Sequence, residues 1–274
     1  MRPTIFQIYF KPELVKACDP AFTPLDNTSN PRPYLREWDV WDREYENILA
    51  QGIDLWGFVS WNFTHKTGIS GQAFVDFIEA NPGHDVYFIN PCIATEAMYV
   101  NPWKHCDRYN TTTADLGNEF LAKLGYKDID VRTILLDRTV TFYANYLVGT
   151  KEFWAKFMDF SRGIFAEADK DPQFKEAVFV RPFGYATDAT LPSFTFLIER
   201  LLPTFIALEQ ISACGYQYTS ETVPEKYKPY FADLQALSSL KMLINEHNSD
   251  QLYDIWNQYR ICLLRHNPAV LGLE

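Results

Sequence analysis

No stretch of this 274-residue chain approaches the roughly 20 consecutive apolar residues that a membrane-spanning helix needs. An excess of positive charge is missing as well. Its 25 Lys and Arg face 35 Asp and Glu, a net charge of −10, and no dense basic stripe runs along any segment. A nucleic-acid groove requires such a stripe, so nucleic acid drops out as an expected partner, whereas one nucleotide diphosphate needs only a few cations. Cysteine is sparse and without pattern. Cys18, Cys92, Cys106, Cys214 and Cys262 are odd in number, widely spaced and free of any C-x-x-C. That points to free thiols in a reducing cytosol rather than a disulfide framework. His105-Cys106 alone is too little for a zinc site. Internal repeats and low-complexity tracts are also lacking.

Apolar residues, by contrast, make up 47 % of the chain, enough for a full-sized core. Aromatics are abundant: 21 Phe, 16 Tyr and 7 Trp. Tyr and Trp offer flat faces with a polar edge, which suits stacking on sugar rings or nucleobases, but cores use the same residues, so the pointer is weak.

Thr4 to Phe10 (TIFQIYF) is β-branched and aromatic and reads as a first strand rather than a secretory signal. The proline-rich stretch from Pro12 to Pro33 reads as a long irregular loop packed on the domain through Phe22 and Leu25. Its Asp26 and Asn27 suit hydrogen bonds to a ribose or base, with an Asx-turn as the competing reading. Tyr34 to Gln51 has helical spacing, and Leu55 to Trp61 is a second, buried strand. The polar loop Asn62 to Gly68 follows, then a helix from about Gly71 to Glu79. Its Lys66-Thr67-Gly68 suggests phosphate binding but lacks the spacer and leading glycine of a Walker loop.

Asp85 to Ile89 is a third strand, closed by Asn90-Pro91, which places Asn90 at the carboxyl edge of the sheet, where open α/β sheets bind ligands. A helix is expected around Thr113 to Leu124. Thr139 to Val148 is β-prone, and Asn145 at its centre demands hydrogen-bond partners from protein or ligand. A long helix runs from Gly149-Thr150 to about Ala168, and Ala177 to Val180 reads as a short strand. The loop Arg181 to Asp188 leads into a further helix. After Pro229 two helices are separated by Asn248-Ser249-Asp250. Alternating strands and helices over residues 1–212 imply an α/β domain with a mainly parallel sheet covered on both faces. Residues 213–274 read as a C-terminal helical hairpin packed on it. The strand count is too low for an eightfold barrel.

Between Leu191 and Leu208 the only charged residues are Glu199 and Arg200. Burying an ionised carboxylate costs several kcal/mol unless it is paired or used. Pro203 removes the amide that would bond the Glu199 carbonyl, so the helix should open there. An active-site charge pair and a structural ion pair both fit this pattern.

The order of these motifs resembles bacterial glycosyltransferases of capsule and lipopolysaccharide O-antigen clusters, with a GT-A-like (nucleotide-diphospho-sugar transferase) fold. The carriers are the first strand, the Asp26-Asn27 loop, Lys66-Thr67-Gly68, Asp85 to Pro91, Tyr143 to Val148 and Ile198 to Leu202, over roughly residues 4–212. The resemblance implies a nucleotide-diphosphate sugar donor and a glycan or lipid-linked glycan acceptor. It places Tyr9, Lys11, Asp26 and Asn27 at the nucleotide, Lys66 and Thr67 near the donor, Asn90 at the metal-motif position, and Glu199-Arg200 beside the transferring sugar. Such enzymes usually carry Asp-x-Asp after the third strand; here the residues are Asn90-Pro91-Cys92. No metal ligand is therefore assigned and no cofactor is required, with Mg or Mn left open; Lys66, Arg181 or Arg200 would neutralise the diphosphate, and Asn145 completes the donor set. Glu199 is the first candidate base and Asp188 the second. A cytoplasmic location is expected, with the inner membrane face, peripheral membrane association and a homodimer through the C-terminal helices left open. A glycoside hydrolase using Asp188 and Glu199, or a non-catalytic carbohydrate-binding protein, are the alternatives.

Overall fold

The computed structural model of the chain describes residues 2–183 and 191–272. Strand β1 (Thr4–Tyr9) is followed by edge strand β2 (Thr23–Asp26), helix α1 (Glu37–Ala50), strand β3 (Leu55–Ser60) and helices α2 (Phe63–Thr67) and α3 (Gly71–Ala80). Strand β4 (Val86–Phe88) leads to helices α4 (Ile93–Met98), α5 (Pro102–Cys106) and α6 (Thr112–Lys123). After strand β5 (Leu147–Thr150) come α7 (Lys151–Lys170), α8 (Pro172–Phe179) and α9 (Ser193–Leu208). Strand β6 (Ala213–Gly215) and helices α10 (Phe231–His247) and α11 (Asp250–His266) complete the order.

The six strands form one sheet in the order β2-β1-β3-β5-β4-β6. β1 pairs in parallel with β2 and β3, and β4 with β6, while β5 runs antiparallel to both of its neighbours. Side chains alternate across the strands, as the period-2 pleat requires. Phe6, Ile8, Trp56, Phe58, Val86, Phe88 and Leu147 join one apolar layer with α1 and α6 to α9. Ile5, Leu55, Val59, Tyr87 and Val148 join the other with α3, α4, α10 and α11. The fold is thus mixed α/β, mostly parallel, and covered on both faces. Gly57 is what lets β5 close on β3: a Cβ there would lie 1.9 Å from the Leu147 carbonyl oxygen.

Several local expectations change. The loop after β1 contains β2, an edge strand whose residues are mostly exposed, so no apolar alternation marks it. Ala177 to Val180 is not a strand but the end of α8. Asp171 caps that helix by accepting from the Gln173 and Phe174 amides, Pro172 sits in its first turn, and Phe174 and Val178 bury one face. Of Thr139 to Val148 only the last two residues enter a strand. Upstream, the Thr139 amide donates to the Asp137 carboxylate (2.8 Å) and the Tyr143 amide to the Asn90 side chain (3.3 Å), so these groups are satisfied outside the ladder.

The polar loop after β3 is instead helix α2, ended by Gly68 at φ +70°. β6 belongs to the sheet through β4, so the sheet continues three residues past position 212. The helical hairpin turns as expected: Asn248 is left-handed, and the Ser249 hydroxyl accepts from the Leu252 amide. It packs on α4, where the buried Lys241 ammonium donates to the Glu96 carbonyl (2.6 Å) and carboxylate (3.1 Å), and the Trp256 indole donates to the Ala97 carbonyl (3.0 Å). No helix among the described residues is long and apolar enough to cross a membrane.

Candidate active site

A cleft of about 370 Å³ lies at the carboxyl ends of β1, β2 and β3. Ile8 and Phe10 form the β1 side, Asn27 and Asn30 come from the turn after β2, and Ser60, Trp61 and Asn62 come from the end of β3. The start of α1 supplies Arg36, Glu37 and Val40, the approach to β5 supplies Tyr143 to Tyr146, and Lys66 and Glu199 project from α2 and α9. In an open α/β sheet this edge is where strand ends splay and ligands enter. Phe10, 46 % exposed, meets Trp61 edge-on at 6.3 Å and forms an aromatic lip. The Ser60 and Tyr146 hydroxyls are 2.6 Å apart, and Lys66 sits over the Tyr146 ring at 6.0 Å.

Glu199 is the chemically distinctive group. The cleft walls desolvate its carboxylate, and this outweighs the attraction of Arg200 and pushes its pKa up to about 7. Glu37 adds repulsion, while Lys66 and Arg36 pull the other way. The side chain keeps 34 % of its surface exposed, so it is crowded by protein yet reachable from the cleft. Arg200 is not in the cleft. It is buried behind Glu199, with Nη1 3.8 Å from the carboxylate and donating to the Phe196 carbonyl at 2.7 Å. The neighbouring His105 is held down at about 4 by its own burial first and by the Arg200 and Arg108 charges second, so that imidazole is neutral near pH 7.

Arg36 caps α1 with φ +52° and ψ −134°, a conformation that costs a residue with a side chain on the order of 1–3 kcal/mol. It brings the amino end of α1 to the cleft wall. Beneath it, buried Asp39 pairs with both Arg32 and Arg43, and Arg43 Nη2 donates to the Asn27 side-chain oxygen Oδ1 at 2.7 Å. The loop after β2 is thereby fixed to α1.

Of the residues proposed from sequence, the structure brings Asn27, Lys66, Asn145 and Glu199 together in the cleft. Asp188 lies outside the described residues. Thr67 is fully buried one residue past Lys66 and donates to the Phe63 carbonyl (2.9 Å), which is a helix-ending role. Asp26 accepts from the Thr28 amide (2.8 Å), the turn that competed with ligand binding, and Tyr9 pairs beside it in the β1–β2 register. Lys11 is exposed beyond the lip, and Arg181 is exposed before α9. Asn90 closes its own turn by accepting from Cys92 N (3.1 Å) and faces a separate hollow. Arg36, Glu37, Trp61 and the Ser60–Tyr146 pair were not singled out from sequence. The one available signal was an Arg-Glu pair opening a helix after a proline-rich loop. Among the described residues no group of three or more His, Cys, Asp or Glu could hold a metal ion.

No protein-family model matches the chain, and no curated protein matches it in sequence. The fold is similar to that of a solved structure described as the apo form of WbbM, a bifunctional glycosyltransferase, with a TM-score of 0.51 and 14 % identity. The similarity covers 79 % of this chain and 45 % of that one, so the chain spans less than half of the larger protein. At that identity the likeness concerns the fold: an α/β sheet architecture shared with a glycosyltransferase.

Proposed function

We propose that the chain is a glycosyltransferase that moves a sugar from a nucleotide diphosphate to a glycan hydroxyl in surface-polysaccharide synthesis, acting in the cytoplasm. The observation that carries this reading is the placement of Glu199. It is a carboxylate tuned to about pH 7, in a cleft at the carboxyl edge of the sheet, with Arg36 and Lys66 in its electrostatic field. A general base works best when its pKa lies near the working pH. Glu199 takes the proton of the acceptor hydroxyl as that oxygen bonds the anomeric carbon. The bond from that carbon to the diphosphate oxygen breaks, and Lys66 and Arg36 stabilise the negative charge left on the diphosphate. In this reading the two side-chain cations do the neutralising that a divalent metal performs elsewhere, and the reaction inverts the anomeric centre. The fold shared with a glycosyltransferase supports the same class.

Titration with UDP, GDP and dTDP, followed by melting temperature and calorimetry, tests this. One of them should stabilise the protein by several degrees at saturating concentration. Stabilisation by none would contradict the proposal. A second reading draws on Glu37, which puts a second carboxylate in the cleft within the field of Glu199. A glycoside hydrolase uses such a pair. Release of sugar from a glycoside without any nucleotide would favour it.

A further inference from the structure

The cleft runs across the sheet, and its two ends differ in charge. In the strand order β2-β1-β3-β5, Asn27 and Asn30 follow β2, Phe10 follows β1, Trp61 follows β3 and Tyr146 precedes β5. Neighbouring strands lie about 4.8 Å apart, so the cleft spans roughly 14 Å, room to lay a nucleoside diphosphate along it. Lys66 marks the β5 end, where it sits over the Tyr146 ring, and its charge, with that of Arg36, acts on Glu199. The side chains lining the β2 end are uncharged: Phe10, Asn27, Asn30 and Pro33. A diphosphate belongs with the cations, which leaves the nucleobase at the β2 end. There the Asn27 backbone amide donates to the Tyr9 carbonyl (2.8 Å), setting the turn beside the exposed Phe10 ring, a face on which a base can stack.

The side chains of that turn are held in one sense. A guanidinium has no acceptor, so Arg43 Nη2, 2.7 Å from Asn27 Oδ1, fixes the Asn27 amide with its oxygen toward Arg43 and its NH2 away. That NH2 faces Asn30 Oδ1 at 3.5 Å. The contact is long, yet its sense is determined, because turning the Asn30 amide over would set two NH2 groups against each other. The relay Arg43–Asn27–Asn30 therefore ends on Asn30 Nδ2. This nitrogen has no hydrogen-bond partner among the described residues, and it is not closed off: Asn30 is half-buried, lines the cleft and keeps accessible surface on that atom. The turn thus offers a ligand a donor and withholds the matching acceptor.

We propose that the cleft selects nucleobases with a keto oxygen at the edge far from the ribose, as in uracil, thymine, guanine or hypoxanthine, over those with an amino group there, as in cytosine or adenine, and that Asn30 makes the selection. The proposal rests on the transferase reading of the cleft and adds to it which donors can enter. A keto oxygen accepts from Asn30 Nδ2. An exocyclic amine sets donor against donor and leaves both unpaired while the base, stacked on Phe10, keeps water out.

The test is calorimetry on the full chain with two pairs of nucleotides that differ at this edge, UDP against CDP and IDP against ADP. The keto member should bind about tenfold tighter or more in at least one pair. Asn30→Asp presents only acceptors, and Asp tolerates the left-handed backbone of this position (φ +34°). In that variant the preference should fall to near unity or reverse; the ratio within a pair cancels any general loss of affinity from the added charge. Equal affinities within both pairs, a preference for the amino members, or a keto preference unchanged in Asn30→Asp would each overturn the proposal. The comparison on the unaltered protein needs no variant to fold. Nucleotides that bind without regard to the base sink the selection and leave the transferase reading standing, whereas binding by none of them, nor by GDP or dTDP, sinks both.

Discussion

Glu199 enters the cleft as a carboxylic acid whose proton is held more tightly in the folded chain than in the unfolded one, because burial outweighs the pull of Arg200. Two consequences follow from the sign. As a base it is competent only when ionised, so transfer should fall as pH drops through about 7, by up to tenfold per unit below it. Glu199→Gln should lower the rate by about 10²–10⁴-fold and abolish that acid limb. For stability, a raised folded pKa means that the contribution is complete below the ordinary carboxylate range and is lost as pH rises through about 7. Glu199→Gln lacks this loss and should melt higher than the parent at pH 8 but not at pH 4, a comparison that calorimetry makes directly. Arg200 acts from behind. Since its charge lowers the Glu199 pKa, Arg200→Met should move the acid limb upward by roughly one pH unit. An unmoved limb in that variant would show that Arg200 does not position or tune the carboxylate. The anomaly of two charges in an apolar run was visible in the sequence. Their division was not: one side chain faces the cleft and the other is buried, which depends on how α9 is rotated against its neighbours.

At the scale of elements, the legible parts were those whose signal is local. Helices α1, α7, α10 and α11 carry apolar spacing and end signals, and β1, β3 and β4 are runs of branched and aromatic residues between breakers. What escaped was decided by distant partners. β2 is a strand because β1 offers a free edge, not because Thr23–Asp26 is apolar. The stretch before β5 looks β-prone, yet its polar groups bond to Asp137 and Asn90 instead of a neighbouring strand. α8 did have a local signal, Asp171-Pro172, which β-prone Val178 to Val180 obscured. The C-terminal hairpin shows a further case. Lys241, in what reads as an ordinary amphipathic helix, is fully buried and meets Glu96 of α4. Lys241→Met should cost about 3–5 kcal/mol, because it leaves the Glu96 carboxylate buried without its cation. Urea unfolding measures this, and Glu96→Leu added to Lys241→Met should recover much of the loss. A loss below about 1 kcal/mol in the single variant would mean that the pair does not hold α10 to α4.

For the whole molecule, an acidic chain with a net charge of −10 places Arg36 and Lys66 at one concave edge of its sheet. The sequence supported the sheet architecture because alternating strand and helix signals admit few arrangements. It supported the site less well, because the cleft is assembled from segments more than 150 residues apart, with Ile8 at one end of the chain order and Glu199 at the other. Four of the residues proposed from sequence meet there. Others, among them Thr67, Asp26 and Asn90, complete turns and helix ends through their own side chains. The measurement that tests the central claim most directly is a crystal structure of the chain with whichever nucleotide diphosphate stabilises it. The account predicts the diphosphate in the cleft, with oxygens within about 3 Å of the Arg36 and Lys66 nitrogens and the terminal phosphate turned toward Glu199. A nucleotide bound away from the carboxyl ends of β1 and β3, or in the cleft with its phosphates remote from both cations, would contradict it.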